Sequence, residues 1–450
     1  MITGRGAIVC RMLPCLALLA GLLLFAALWI GGAHDLYFAL FRLLGVPAWP
    51  FPFLDTHGEL AVIECHRRGI DVYLTNPCDA LGRVHVYTPL WFRFGVLPID
   101  TGWTPQVGFG LALAFAVSLL LLPPGRDKRA AGVICAAALS PAVGFAVERG
   151  NADLLMFILA ALAAAIALRR LPTRLLAFPI VLLATGLKVY PATLLVLALR
   201  ERLALCLATA TLSLAALLAY AVSNAAALRE MLAVLPAGNP FIYTLGAPNL
   251  SGGLGVLFGW PPLVLAGVQE ALLIAAIIAA ARRVAVLRPA AGALTPAETV
   301  SLMVGAVLIL GCFGMGQSGE YRAVHLLFVL PPLLALAGLP GRAGRIARFT
   351  LWVILLQLWG DLATAPLFDR VGTNRGGAAT DTAVMTLLWL VRELAWWWIA
   401  TVLLALLLAL VPDLRCLAAL RRRAGGGAGG AQGGRKADRP CGARPCGDRP

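Results

Sequence analysis

The chain has 450 residues, of which 60% are hydrophobic and 13% are charged, and its formal net charge is +15. This charged share is about half that of an ordinary soluble domain, and the mean hydropathy is +0.86, so a soluble globular protein is excluded. The positive charge does not indicate a nucleic-acid partner, because the Lys and Arg residues fall mostly in short connectors and a tail, as membrane topology requires. We therefore predict an all-α, polytopic membrane protein.

The first apolar run is MLPCLALLAGLLLFAALWIGGA, residues 12–33. It is long enough to cross about 30 Å of hydrocarbon and exceeds the usual apolar core of a signal peptide. We interpret it as an uncleaved span, 12–32, which follows a cytoplasmic N-terminus, 1–11.

A hydrophilic loop, 33–105, follows the first span, and we predict that it is extracytoplasmic. Cys65 and Cys78 share this loop, and a disulfide between them is plausible in an oxidising compartment. Cys65, His66 and His85 match no known metal-binding spacing, so no metal is predicted. Asp55 begins an amphipathic stretch, where it is either an N-cap or a functional carboxylate.

Three spans are predicted next, near 106–123, 131–147 and 153–169. The segment LLATGLKVYPATLL, 182–195, then places Lys188 in an apolar run. A charged group at membrane depth usually marks a site or a paired charge, although a snorkelling lysine is the alternative.

The positive clusters on either side of Lys188 predict that the chain turns back within the membrane. Arg170 and Arg174 precede the segment, and Arg200 and Arg202 follow it. A helix rising over 175–187 and descending over 191–200 places all four on one side, and Pro191 supports the break.

With this re-entrant hairpin, every later basic connector falls on the cytoplasmic side. The expected architecture has ten full spans plus two half-helices in one membrane domain, 12–411. The Gly/Pro/Arg-rich tail within 412–450 is predicted to be cytoplasmic and disordered. The remaining six spans are predicted near 203–222, 261–281, 298–314, 322–339, 349–366 and 383–411.

The polar residues outside the basic connectors converge on the opposite, outer face in this topology. They include the connectors ERGNAD, 148–153, and GQSGEYR, 316–322, and the tip of the hairpin. Non-helical backbone at membrane depth is tolerated where it lines a cavity. The pattern favours a site at the outer membrane boundary. Five carboxylates on this face are candidate bases if the site is catalytic: Asp55, Asp71, Glu148, Asp153 and Glu320.

Several short motifs resemble those of glycosyltransferase family 87, the polyprenol-phosphate-mannose-dependent α-mannosyltransferases of the GT-C superfamily. The resemblance covers roughly residues 12–410. This chain differs from the usual pattern in having GNAD where the family more often has G-Q-x-N, and in the insertion NPCDALGRVH, 76–85. The motifs that carry the resemblance are Asp55 with GIDVY (69–73), YTPL (87–90), GNADLL (150–155), GLKVYP (186–191) and EYR (320–322).

The resemblance implies a GT-C-like fold and an enzyme of the plasma (inner) membrane, whose active site is extracytoplasmic. The donor would be a polyprenyl-phosphate hexose, most simply mannose, and the acceptor a glycan or glycolipid. It implies no cofactor, nucleotide sugar or metal. A transporter or flippase for a lipid-linked or anionic solute is the alternative, because broken helices also occur in transporters.

The family's essential carboxylate maps onto Asp55, which we expect to act as general base in an inverting displacement. Lys188 and then Arg322 are the candidates to bind the donor phosphate, because a leaving phosphate requires preorganised cations. The candidate substrate-binding residues are Tyr73, Tyr87, Asn151, Asp153, Tyr190, Glu320 and Tyr321.

Overall fold

The computed structural model describes residues 4–236, 238–373 and 379–417, and nearly all regular structure in this part of the chain is helical. Of the predicted disordered tail, 412–450, residues 418–450 lie outside the described residues, whereas 412–417 are described and begin within a 3₁₀-helix, Val411–Asp413. The α-helices are α1 (Gly4–Ile30), α2 (His34–Leu43), α3 (Leu54–Arg67), α4 (Thr104–Ser118), α5 (Lys128–Ala138), α6 (Pro141–Arg149), α7 (Ala152–Ala167), α8 (Ala177–Leu187), α9 (Leu203–Ser223), α10 (Ala225–Ala233), α11 (Ala247–Phe258), α12 (Pro262–Ala291), α13 (Pro296–Gly314), α14 (Leu330–Ala337), α15 (Gly341–Trp359), α16 (Asp361–Thr373) and α17 (Ala379–Leu410).

Short 3₁₀-helices and one strand pair complete the described structure. Strands β1 (Thr244–Leu245) and β2 (Ser318–Gly319) pair antiparallel, with Thr244 opposite Gly319. The 3₁₀-helices are Pro89–Val96, Thr101–Trp103, Leu119–Leu121, Thr173–Leu176, Tyr190–Arg200, Glu320–Phe328 and Val411–Asp413.

Six helical segments among the described residues are long and apolar enough to cross a membrane, or up to nine when bent pairs are counted as one span. The bent pairs are α5 with α6, Glu320–Phe328 with α14, and α15 with α16, with bends of 48°, 54° and 41°. Helix α7, at 16 residues, is shorter than these. The membrane-spanning class is confirmed, whereas the predicted count of ten spans is not.

The chain reverses direction after α8, as the positive clusters predict. Helix α8 and the 3₁₀-helix Tyr190–Arg200 form the two arms, with Lys188 and Val189 between them. Arg174, before the first arm, donates to Glu201, after the second, with 2.6 Å between Nη2 and Oε2. The two ends of the hairpin are therefore adjacent.

Burial separates the inner helices from the outer ones. In the most apolar 18-residue stretch of each helix, the buried share is 78% for α13 but only 6% for α12 and 11% for α9. The exposed side chains of α12 are nevertheless apolar, for example Leu263 and Ile277. Such a surface matches hydrocarbon and not water, so α9 and α12 present their exposed faces to lipid.

The segment between the first two spans folds over one end of the helix bundle. We call this end of the bundle the loop face. Its main element is α3, whose residues Leu54, Leu60 and Ala61 are buried. Cys65 of α3 is joined to Cys78 by a disulfide. This bond excludes Cys65 as a metal ligand, and the described residues contain no cluster of three or more His, Cys, Asp or Glu that could hold a metal ion.

Candidate functional site

Asp55 lies in a network of donors on the loop face, which we call the arginine cluster: Asp55, Arg83, Arg149 and Asn151. Its Oδ1 accepts from Arg83 Nη1 at 3.0 Å and from Arg149 Nη2 at 2.6 Å. Its Oδ2 accepts from Arg149 Nε at 2.9 Å and from Asn151 Nδ2 at 2.6 Å. A carboxylate has about four lone-pair positions, so all of them are occupied.

The N-cap interpretation of Asp55 is wrong. The N-cap of α3 is Phe53, which has a left-handed backbone with φ of 64°, and no side chain caps the helix. Burial by itself would raise the pKa of Asp55, but the guanidinium groups of Arg149 and Arg83 outweigh it and hold this pKa below its ordinary value. Asp55 is therefore an ionised anchor in this conformation.

Gly150 fixes how the connector between α6 and α7 meets α3. Its φ is +56°, and a Cβ there would lie 2.3 Å from Thr56 Oγ1. Thr56 instead donates from Oγ1 to the Gly150 carbonyl at 2.7 Å. Only glycine combines this left-handed backbone with so close an approach, which explains the glycine of the GNAD motif beside Asp55.

Asp153 is the centre of a second group, the lysine cluster: Asp153, Lys188, Tyr190 and Arg322. Lys188 Nζ lies 2.8 Å from Asp153 Oδ2, and Tyr190 donates from its hydroxyl to Oδ1 at 2.5 Å. Arg322 Nε lies 3.6 Å from Oδ2. Lys188 is only 3% exposed, so the snorkelling interpretation is wrong: this lysine is a paired, buried cation.

His325 adds a buried imidazole to the lysine cluster. Its Nε2 lies 2.7 Å from the Tyr190 hydroxyl oxygen, and its Nδ1 has no hydrogen-bond partner among the described residues. Because the Tyr190 proton is donated to Asp153, the geometry requires Nε2 to carry the imidazole proton. The chain Asp153, Tyr190, His325 is thus continuous.

The break in the hairpin is held by the loop above it. Trp91 Nε1 donates to the Leu187 carbonyl at 3.1 Å, and the Thr88 hydroxyl donates to the Gly186 carbonyl. Both carbonyls lose their helical partners where α8 ends, and unsatisfied backbone is costly at membrane depth. The YTPL and GLKVYP motifs therefore form one structural unit, which holds Lys188 in place.

A cavity of about 450 Å³ opens beside Lys188. One part of its wall carries both predicted phosphate-binding residues, Lys188 and Arg322, with Tyr87 and Tyr321 beside them. The Lys188 Nζ lies 4.5 Å from the centre of the Tyr87 ring. The lining also includes the apolar side chains of Met231, Leu232, Leu235, Pro236 and Met315.

Glu59 is a second carboxylate of α3, one turn after Asp55. Its Oε2 has no hydrogen-bond partner in the described part of the chain, and His85 Nδ1 lies 3.9 Å away. Burial raises the pKa of Glu59 to about 8, although Lys188 opposes the shift. Burial also lowers the pKa of His85 to about 4, so both groups are neutral near pH 7.

Two of the predicted site residues lie outside these clusters. Glu320 is buried against Arg392 of α17, with 4.0 Å between Glu320 Oε2 and Arg392 Nη1. Among the described residues, no ion pair or hydrogen bond joins Glu320 to Lys188 or Arg322, and Arg322 instead donates to Ser318. Tyr73 donates its hydroxyl to the Tyr87 carbonyl at 3.0 Å, so it supports the loop. The other eight predicted residues belong to the two clusters or line the cavity: Asp55, Tyr87, Asn151, Asp153, Lys188, Tyr190, Tyr321 and Arg322.

Two residues of the site, Glu59 and His325, were not singled out from the sequence, and two others, Arg83 and Arg149, were placed on the outer face but not assigned to Asp55. Signals existed for the first two. Glu59 follows Asp55 by four residues on one helix face, and His325 interrupts an apolar run as Lys188 does.

The fold and site together define a multi-pass α-helical membrane protein with a charged cavity at one end of its bundle. No protein-family model, curated protein or solved structure matches this chain.

Proposed function

We propose that this protein is an integral-membrane glycosyltransferase that transfers a hexose from a polyprenyl-phosphate donor to a glycan or glycolipid acceptor. The observation that carries the proposal is the lining of the cavity, which combines two cations, Lys188 and Arg322, with apolar side chains such as Met231 and Leu235. A prenyl phosphate needs this combination: cations for its phosphate and an apolar surface for its chain.

The charge balance of the lysine cluster supports an anionic ligand. Lys188 and Arg322 carry two positive charges, and Asp153 compensates one of them. The remaining charge matches the single negative charge of a polyprenyl-phosphate hexose, which is a phosphodiester. Its product is a phosphate monoester, whose extra negative charge makes these cations more valuable in the transition state than in the ground state.

The proposed reaction is a single displacement at the anomeric carbon of the donor. An acceptor hydroxyl oxygen forms a bond to the anomeric carbon, while the bond from that carbon to the phosphate oxygen breaks. The bonding electrons leave with polyprenyl phosphate, and the hydroxyl proton passes to a carboxylate. A single displacement inverts the anomeric centre.

The base is a carboxylate of α3, and two candidates lie one turn apart. Asp55 is the residue that the family resemblance implies, but it must give up one of its four donors before it can take a proton. Glu59 has a free oxygen and a pKa of about 8, which is near the optimum for a general base at neutral pH.

Transfer from synthetic polyprenyl-phosphate mannose to membrane acceptors tests the proposal. Purified wild-type protein in proteoliposomes should form product, and both Lys188→Met and Arg322→Gln should lower kcat/KM by at least about a hundredfold, typical of lost transition-state charge stabilisation. Arg93→Gln, which removes an exposed cation of the loop face, is the matched control and should retain activity.

Failure of the wild-type protein to transfer any of several prenyl-phosphate hexoses would overturn the proposal. Movement of a fluorescent prenyl phosphate between leaflets, lost in Lys188→Met, would then establish transport of a lipid-linked solute instead.

A further inference from the structure

A second charged cavity lies at the opposite end of the bundle, which we call the basic face. It has a volume of about 300 Å³, and its charged lining residues are Arg174, Arg200, Glu201 and Arg415. Leu294 and Leu410 contribute apolar wall. None of these residues belongs to the arginine or lysine clusters.

Positive charge exceeds negative charge in this cavity. Three arginines face one glutamate, and Glu201 is already paired with Arg174 at 2.6 Å. Arg174 also has a buried Nε with no hydrogen-bond partner among the described residues. Like charges gathered around one cavity repel each other, so the arrangement favours an anion between them.

Among the described residues, neither Arg200 nor Arg415 forms an ion pair with Glu201, which is paired with Arg174. Arg200 donates from Nη1 to the Ala167 carbonyl at 3.2 Å, which fixes one edge of its guanidinium group. Its other N–H groups have no hydrogen-bond partner in the described part of the chain, and Arg415 is exposed beside it. Arginine forks suit phosphate oxygens, which they bind through two parallel hydrogen bonds.

The position of the cavity indicates that the anion is the headgroup of a membrane lipid. Helices α7, α12 and α17 end at it, with Ala167, Ala291 and Leu410 in or beside its wall. The cavity therefore lies where apolar spans meet water, at the depth of lipid headgroups. Basic pockets between membrane helices at this depth bind the headgroups of anionic lipids.

We propose that this cavity binds the phosphate group of an anionic phospholipid from the leaflet at the basic face. Arg200 and Arg415 contact the phosphate oxygens, Arg174 holds Glu201 away from them, and Leu294 and Leu410 contact the start of the acyl chains. The site does not depend on the proposed transferase activity, because it lies at the other end of the bundle.

Native mass spectrometry of the full chain in detergent tests this site, with dioleoyl phosphatidylglycerol as the anionic probe and dioleoyl phosphatidylcholine as the neutral one. The wild type should bind one phosphatidylglycerol more tightly than phosphatidylcholine. Arg415→Gln, an exposed substitution that leaves packing intact, should weaken this first adduct about fivefold, and Arg200→Gln with Arg415→Gln should weaken it about 25-fold, since each basic residue contributes roughly equally.

The matched control removes the same charge elsewhere on the basic face. Arg170 and Arg345 are exposed and do not line the cavity, so Arg170→Gln with Arg345→Gln should leave the first adduct unchanged. Equal weakening by both double variants would overturn the proposal in favour of diffuse surface attraction. Displacement of phosphatidylglycerol by equimolar inorganic phosphate would overturn the lipid assignment and identify soluble phosphate as the ligand.

Discussion

At the scale of single residues, the four donors around Asp55 make its charge indispensable to the local structure. Asp55→Asn replaces one accepting oxygen with an NH₂ group that must face a guanidinium or an amide donor. We expect transfer to be abolished and the melting temperature to fall, because a buried charged network loses several kcal/mol, about 3–5, when one partner is removed. Transfer assays and a thermal melt on the same preparation measure both effects.

Asp71→Asn is the control for Asp55→Asn. Asp71 is an exposed carboxylate of the same loop, and its Oδ1 only accepts the backbone N–H of Tyr73. This variant should keep wild-type transfer and stability. An Asp55→Asn protein with unchanged melting temperature would show that the network seen around Asp55 does not persist in solution.

Glu59 and Asp55 predict different pH profiles for the transfer reaction. A base works only when it is deprotonated, so a Glu59 base with pKa near 8 requires kcat/KM to rise with pH up to about 8 and then level off. An Asp55 base, with pKa below its ordinary value, requires a flat profile across the same range.

We expect the rising profile for the wild type and its loss in Glu59→Gln, together with a drop in kcat of about a hundredfold or more. Glutamine has the shape of protonated glutamic acid, so packing around α3 should be preserved. His85→Asn is the control for the neighbouring imidazole. If kcat/KM still rises with pH in this variant, His85 is not the group whose titration causes the rise.

At the scale of elements, the loop residue Thr88 links the hairpin to the loop face. Thr88→Val keeps the side-chain shape but removes the hydroxyl that donates to the Gly186 carbonyl. The Gly186 carbonyl then keeps only the longer hydrogen bond from the Tyr220 hydroxyl, at 3.5 Å. We expect a loss of about 1 kcal/mol of stability, typical of one buried hydrogen bond. Reduced donor affinity should accompany it, because Lys188 is at the tip of the same break.

Thermal melts with and without a prenyl-phosphate ligand measure both consequences. Thr75→Val, in the exposed part of the same loop, is the matched control and should melt like the wild type. If Thr88→Val has wild-type stability, the break is held without the threonine, by the hydrogen bonds from Trp91 to the Leu187 carbonyl and from the Tyr220 hydroxyl to the Gly186 carbonyl.

Local sequence signals predicted the apolar helices and the reversal of the chain at the hairpin. The predicted ends differ from the observed ones by up to ten residues, as for α12, which was predicted to end at 281 and ends at Ala291. The contact between Arg174 and Glu201 brings the two ends of the hairpin together, as the positive clusters predicted. Bends such as the 48° break between α5 and α6 were not predicted, because the hydrophobicity of a run does not give the angle between its helical segments.

The partners of charged residues were largely beyond sequence reasoning. Glu320 was grouped with Lys188 because both were placed near the outer face, yet its neighbour is Arg392 on the last span. Similarly, Arg83 and Arg149 reach Asp55 from two separate parts of the chain. Which of several charges on one membrane face are in contact depends on how the helices pack, and single-sequence patterns do not contain that information.

At the scale of the whole molecule, the loop face and the basic face have different chemistry, which predicts an orientation. The disulfide between Cys65 and Cys78 belongs to an oxidising compartment, whereas Arg170 and Arg345 lie on the face with the basic connectors, which remain in the cytoplasm. We therefore predict that the loop face is extracytoplasmic and the basic face cytoplasmic.

Cysteine labelling of intact cells with a membrane-impermeant maleimide measures this orientation. In a background where Cys441 and Cys446 are replaced by serine, Asp71→Cys should react in intact cells, because Asp71 is exposed on the loop face. Arg170→Cys should react only after permeabilisation, and the background protein sets the zero level because most of its free cysteines are buried. The reverse labelling pattern would place the lysine cluster in the cytoplasm, where the donor would have to enter the cavity from the opposite leaflet.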